Sequence, residues 1–153
     1  MSYIQVLRQK VGHMPVILTS ASGALVNEAD EVLLQERADT GDWCFPGGYL
    51  EYGESFAACM VREYQEDTGI AIRPIKLLAL QDTDEYTYPN GDVLQPINAF
   101  YLVEATGAPT TAPKATETVR TKYFSLHGPQ PKFFNQQHEK MWAILQAHLT
   151  HKA

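Results

Sequence analysis

Cysteine is scarce in this chain of 153 residues: only Cys44 and Cys59 occur. They show no zinc-ligand spacing and cannot form a disulfide framework, so two reduced, partly buried thiols are expected. The five histidines, His13, His127, His138, His148 and His151, show no ligand spacing joined to the chain's acidic cluster, which argues against a zinc enzyme. No apolar run approaches the roughly 18 residues of a membrane span. The opening residues, Met1 to Lys10, lack the apolar stretch of a signal peptide, and a cytoplasmic location is expected. Basic blocks are missing as well. With a net charge of −6, general nucleic-acid binding is disfavoured. An acidic protein can still take a phosphorylated small molecule where a metal and a few basic side chains offset the charge locally. There is no internal repeat and no low-complexity tract.

What is present is an ordinary globular balance, 44% hydrophobic and 20% charged, in a length that suits one domain over residues 1–153. Pro15 to Ser20 and Ala24 to Asn27 read as one strand or two adjoining ones. Glu28-Ala29-Asp30 reads as a turn, and Glu31 to Arg37 as the returning strand of a hairpin. Gly41, Pro46, Gly47 and Gly48 break the chain into a loop. A helix is expected from about Ser55 to Thr68, capped by Gly69. On it, Ala57, Val61 and Tyr64 offer one core-facing stripe, with Phe56 and Met60 on another flank. Ile75 to Leu80 reads as a strand; Tyr86 to Tyr88 and Val93 to Val103 read as two more, joined through the hairpin signal Asn90-Gly91. Ala105 to Lys114, rich in Thr, Pro, Gly and Ala, is expected to be a mobile loop. Thr121 to Leu126 is the expected final strand. Asn135 is placed to cap a last helix with Met141, Ile144, Leu145 and Leu149 along one side. Strands in hairpins with one helix in mid-chain and one at the end favour the α/β class, a mixed sheet with helices packed on it. Trp142 on the terminal helix is compatible with a homodimer.

The mid-chain helix carries Glu63, Glu66 and Asp67 in its last turns, where the dipole is negative. Positions three and four apart share one face, so the three acids lie within an arc of about 100°. The misplacement costs on the order of 1–3 kcal/mol against a total stability of about 5–15 kcal/mol. A bound divalent cation would remove that penalty, and hard oxygen ligands suit magnesium or manganese. From the acids alone, a solvated acidic helix end is the favoured alternative. The preceding loop adds Glu51 and Glu54, and Gly47 and Gly48 allow close backbone approach with a free carbonyl. Arg62, four before Glu66 and next to Glu63, can hold a carboxylate in place.

This stretch resembles the signature of the Nudix hydrolases. That pattern runs Gly, five residues, Glu, seven residues, Arg-Glu, an apolar residue, any residue, Glu-Glu, any residue, Gly, and an apolar residue. Gly48, Glu54, Arg62, Glu63, Tyr64, Glu66, Asp67, Gly69 and Ile70 stand at those spacings. Asp67 replaces the last Glu, and Tyr64 is a semi-polar choice for an apolar slot. The approach Trp43 to Gly48 is also similar to the family's, and a weaker likeness extends over most of the chain.

The resemblance implies an α/β/α sandwich with a mixed β-sheet, and hydrolysis of a nucleoside diphosphate linked to another group. A nucleoside triphosphate, a dinucleoside polyphosphate or an ADP-ribose type compound would serve as the nucleotide-like substrate, with Mg2+ (or Mn2+) as cofactor. It implies metal binding by the Gly47 carbonyl, Glu63, Glu66 and Asp67, and a supporting role for Glu54 and Arg62, which would orient the acids. Glu63 would alternatively act on the water rather than the metal. The family's habit of recruiting a base from a later loop points to Glu117, the only acid in the segment Lys114 to Arg120. Arg37 is a candidate phosphate clasp or a surface cation. Trp43, Tyr49, Tyr52, Tyr86 and Tyr88 are candidates to stack on a base; in the family a tyrosine in the region of Tyr86 goes with dinucleoside polyphosphates. The alternative to an enzyme is a non-catalytic nucleotide-binding module that keeps the fold.

Overall fold

The computed structural model describes residues 1–114 and 116–152, and Ala115, within the segment searched for a base, lies outside the described residues. The chain runs α1 (Tyr3–Val11), β1 (Val16–Leu25), β2 (Glu31–Arg37), β3 (Trp43–Cys44), β4 (Gly47–Tyr49), α2 (Phe56–Thr68), β5 (Ile72–Gln81), β6 (Tyr86–Thr87), β7 (Val93–Ala105), β8 (Thr118–Ser125) and α3 (Gln136–Lys152). One sheet has the order β4-β1-β7-β5, with β6 also on β7; a second has the order β3-β2-β8. The first sheet is mixed: β1 and β7 run parallel over ten paired residues, and the other pairings are antiparallel.

Alternation along the strands divides the apolar side chains between two cores. Ala21, Leu25, Leu33 and Val103 pack with Cys59, Met60 and Tyr64 of α2. Ala24, Val32, Leu34 and Phe100 pack with Met141, Trp142 and Leu145 of α3. Successive residues of β1 and of β2 thus point to opposite helices, which makes the molecule an α/β/α sandwich with a mixed sheet.

Several sequence expectations change. β1 and β2 are not a hairpin; they share only the isolated bridge Val26↔Val32. Both ladder sides of β1 are already occupied, by β4 and β7, so β2 has no edge to join and enters the second sheet between β3 and β8. The turn between them is tightened by Asn27, whose side-chain oxygen accepts from the N–H groups of Ala29 and Glu31, each at 3.0 Å. Helix α1 was not anticipated. Its capping box is nonetheless in the sequence: Ser2 accepts from Gln5 N–H at 3.3 Å and Gln5 accepts from Ser2 N–H at 2.9 Å. Trp142 is 2% exposed, with its ring centroid 5.9 Å from that of Phe133, so it fills a core and offers no surface to a second copy. The segment expected to be mobile is tied to the end of α2, through Thr111 N–H to Gly69 O at 2.8 Å and Lys114 N–H to Glu66 O at 2.9 Å. These bonds satisfy end carbonyls that the helix itself cannot.

Candidate active site

Helix α2 begins at Ser55, whose hydroxyl accepts from Ala58 N–H at 3.0 Å, and ends at Gly69, left-handed at φ 78°. Ala57 and Val61 are exposed. The face turned inward instead carries Cys59, Met60, Tyr64, Asp67 and Thr68. The expected 57/61/64 stripe is therefore wrong about its first two members. The apolar row through Met60 continues into Glu63 and Asp67, so these two acids point toward the sheet rather than toward solvent.

Arg62 organises the acids. Its Nε and Nη2 donate to the two oxygens of Glu54, each at 2.8 Å. Its Nη1 donates to Glu63 at 2.8 Å and Glu66 at 3.4 Å, and Nη2 also reaches the Tyr49 carbonyl at 3.2 Å. The Arg62 hydrogen bonds hold the Glu54 carboxyl below the usual range. Burial pushes the Glu63 carboxyl up to about 7 against the pull of Arg62, with the charges of Glu66 and Glu117 adding to the rise. Burial, and then the Glu63 charge, push Asp67 up to about 8, opposed by a hydrogen bond from Gly47 N–H at 3.1 Å.

The two glycines explain how acids so large come so close to backbone. A Cβ on Gly48 would lie 2.4 Å from the Glu63 carboxyl carbon, and one on Gly47 would lie 2.2 Å from the Ala21 carbonyl oxygen. The Glu63 carboxylate can thus lie against Gly48, and Gly47 can sit close against strand β1, only because side chains are missing there. The donor set is all oxygen, half-buried and anionic beyond what Arg62 neutralises, which fits a hard divalent cation. Glu63, Glu66 and Asp67 would hold it, with backbone oxygen from the Gly47 strand. Among the described residues no three His, Cys, Asp or Glu side chains stand in ligating arrangement as they are. Arg62 donates to Glu63 and Glu66, whereas Asp67 takes its hydrogen bond from Gly47 N–H.

These groups open on one cavity of about 900 Å³, which receives Arg37, Gly47, Arg62, Glu63, Glu66, Asp67, Tyr86 and Glu117. Of the expected metal ligands, their supporting residues, the proton-transfer residue and the phosphate clasp, every one except Glu54 lines it, and Glu54 is tied to it through Arg62. Glu117 is exposed at the cavity edge, its carbonyl accepting from Ala38 N–H at 2.8 Å, so β2 fixes its backbone. Arg37 is no free surface cation. Its guanidinium donates to both oxygens of Asp39 at 2.8 Å and lies 4.0 Å over the Phe134 ring.

The aromatic candidates separate. Tyr49, Tyr86 and Tyr88 line the cavity, with Tyr86 edge-on to Tyr88 and to Phe134 at centroid distances of 4.7 and 5.1 Å. The Tyr49 and Tyr88 hydroxyls hydrogen-bond to each other. Trp43 packs against Phe124 instead, and Tyr52 is 91% exposed beside Tyr3. Sequence reasoning missed Phe134, Gln35 and the cavity wall supplied by α1. Phe134 sits in an irregular segment with no periodic signal, and Gln35 reads as one polar residue within a strand.

A family comparison agrees with this geometry. The NUDIX domain family matches residues 17–143. Among curated proteins, the chain is 30% identical over 115 residues to the 8-oxo-dGDP phosphatase NUDT18 of Danio rerio, covering 71% of this chain and 33% of that protein. It is 40% identical over 55 residues to the uncharacterized Nudix hydrolase YvcI of Bacillus subtilis (strain 168), covering 36% of this chain and 35% of that one. The chain thus spans about a third of the length of these relatives. Among solved structures it is similar to an ADP-ribose pyrophosphatase of Streptococcus suis 89-1591, at TM-score 0.64 and 23% identity over 86% of this chain and 91% of that one, a likeness of fold. With a family match across most of its length and Gly48, Arg62, Glu63, Glu66 and Asp67 of the signature gathered at one cavity, this chain belongs to the Nudix domain family.

Proposed function

We propose that this protein hydrolyses a pyrophosphate bond in a nucleoside diphosphate linked to another moiety, with Mg2+ as the metal. The observation that carries the reading is that half-buried Glu63 lies against Gly48 and buried Asp67 accepts from Gly47 N–H, at one wall of a cavity whose other wall is aromatic. A divalent cation bound there supplies neutralisation of the diphosphate and an acidified water. The chain's own residues do the rest. Arg62 orients Glu63 and Glu66 by direct hydrogen bonds and takes its own position from the bidentate grip of Glu54. Glu117, at the cavity edge, accepts the proton released as water attacks phosphorus. Tyr86, Tyr88 and Phe134 give the nucleobase an apolar, stacking surface beside Arg37. The names of the similar proteins, an 8-oxo-dGDP phosphatase and an ADP-ribose pyrophosphatase, support nucleoside diphosphate derivatives as the substrate class.

Phosphate or nucleotide release from a panel of nucleoside triphosphates, nucleoside diphosphates, dinucleoside polyphosphates and ADP-ribose, with Mg2+ or with chelator, tests this. Turnover that needs the metal and falls at least about a hundredfold in Glu66→Gln is the expected result. Turnover indifferent to both metal and substitution would overturn the assignment.

A further inference from the structure

Four carboxamide side chains are buried: Gln35, Gln81, Asn98 and Gln137. Three are hydrogen-bonded. Asn98 donates to Gln81 at 3.0 Å and accepts from Ser20 and Ser22 at 2.9 and 3.1 Å. Gln81 donates to the Gln137 carbonyl at 3.1 Å, and Gln137 donates to the Pro96 carbonyl at 3.1 Å. Gln35 is the exception. It is 4% exposed, its Oε1 is buried with no partner among the described residues, and its Nε2 makes no hydrogen bond there either. A buried amide oxygen left unpaired destabilises the fold. Its surroundings do not require a polar residue, since Leu33, Leu34 and Cys44 beside it are all apolar and buried.

Gln35 lines the proposed substrate cavity. It stands two residues before Arg37 on β2, so both side chains leave the same face of the strand, about 7 Å apart along it. Arg37 in turn lies over Phe134, within the Tyr86, Tyr88 and Phe134 group. A nucleobase held by that group would share the cavity with Gln35. A carboxamide carries one acceptor and two donors side by side, which is the complement of a nucleobase edge with an adjacent donor and acceptor.

We infer that the unpaired Gln35 carboxamide is a specificity determinant that reads the hydrogen-bonding edge of the substrate's nucleobase. This rests on the nucleotide reading of the cavity, and it deepens that reading by giving the protein a base preference with a located cause. The ligand supplies hydrogen bonding that the fold withholds from Gln35, so the cost of the unpaired amide oxygen is recovered only in the complex.

The test separates recognition from chemistry. Calorimetric titration with AMP, GMP, CMP and UMP, and with ribose 5-phosphate as a baseless control, is run on the wild type, Gln35→Leu and Gln35→Met in the presence of Mg2+. The wild type is expected to bind one or two of the bases roughly tenfold or more tightly than the baseless control and the other bases. Both variants are expected to bind all four nucleotides alike, to keep their affinity for ribose 5-phosphate, and to melt no lower than the wild type, because no protein hydrogen bond is removed. Equal wild-type affinity for every base overturns the inference, as does a base preference that survives in the variants, or variants that melt well below the wild type. Because binding is read without turnover, an inactive protein would count against the hydrolase assignment while leaving this result legible. If the variants are active, the kcat/KM ratio between preferred and rejected nucleotide is expected to collapse toward one.

Discussion

Arg62 and Glu54 form a two-point ion pair, Nε and Nη2 each 2.8 Å from a separate carboxylate oxygen. The planar guanidinium is thereby locked in orientation, and its third nitrogen is presented to Glu63 and Glu66. Lysine has one ammonium group and cannot hold Glu54 in this fork while reaching along the helix. Arg62→Lys and Glu54→Gln are each expected to cut kcat/KM by about 10–100-fold and to weaken Mg2+ binding by a similar factor. The double substitution is expected to cost little more than either alone, since the two residues act as one unit. Steady-state kinetics and Mg2+ titration of the melting temperature measure both, and additive losses would contradict the coupling.

Metal-free protein should respond to pH in the direction set by Glu63 and Asp67. Their folded values, about 7 and about 8, lie above the ordinary 4.5 and 3.8. The folded state therefore holds protons that the unfolded state has released. Stability contributed by these groups is full below about pH 4, and is lost as pH rises through the folded values near 7 and 8. In chelator, unfolding free energy is expected to fall by at least about 2 kcal/mol between pH 5 and pH 9. Asp67→Asn flattens that slope. Mg2+ reverses it, because the cation binds the deprotonated acids and its stabilisation grows with pH. Denaturant melts at several pH values, with and without Mg2+, give the three slopes; a chelated wild type more stable at pH 9 than at pH 5 would contradict the assignment.

The parts of this fold that were legible in sequence are those fixed by neighbours along the chain. Ser55 and Gly69 bound α2 as their cap chemistry demands, Asn135 caps α3 through His138 N–H at 3.0 Å, and Asn90-Gly91 joins β6 to β7. The signature acids fell on the cavity because their spacing is a property of one helix. What was misread depends on distant partners. Nothing near residues 28–30 reveals that β4 and β7 flank β1, and only that occupancy sends β2 to another sheet. The inward face of α2 was misjudged at Ala57 and Val61 because the sheet accepts Cys59 and Met60, and polar Asp67 after them. Phe134 and Gln35 reach the cavity from a loop and a strand almost a hundred residues apart, and no local pattern links them.

Gly69 joins the helix to the loop that closes over its end. At φ +78° its backbone is left-handed, and a Cβ would lie 1.7 Å from the Thr111 carbonyl oxygen. Gly69→Ala meets both costs, and the clash is with backbone, which does not swing aside. The loss is expected to be about 2–4 kcal/mol, with a lower melting temperature and faster amide exchange at Thr111 and Lys114. Gly107→Ala is the control. It is also left-handed at φ +87°, but its Cβ meets nothing within 4 Å, so it should cost only about 1 kcal/mol.

Adjacent Gly47 and Gly48 should fail in different ways when each becomes alanine. A Cβ at Gly47 would meet the Ala21 carbonyl at 2.2 Å and the Ser22 Cα at 2.8 Å, both backbone of the neighbouring strand β1. Strand β4 can accommodate it only by leaving its ladder, so Gly47→Ala is expected to lower stability by about 2–4 kcal/mol. At Gly48 the obstacle is the Glu63 carboxyl, at 2.4–2.6 Å, the far end of a flexible side chain. Glu63 can rotate away at small cost, and leaving its buried site even relieves the desolvation that raises its pKa. Gly48→Ala is therefore expected to melt within a few degrees of the wild type while losing Mg2+ affinity and at least about tenfold in kcat/KM. Thermal melts paired with kinetics on the two variants settle the contrast. A Gly48→Ala protein that unfolds like Gly47→Ala would show that the glycine serves the strand and not the acid beneath it.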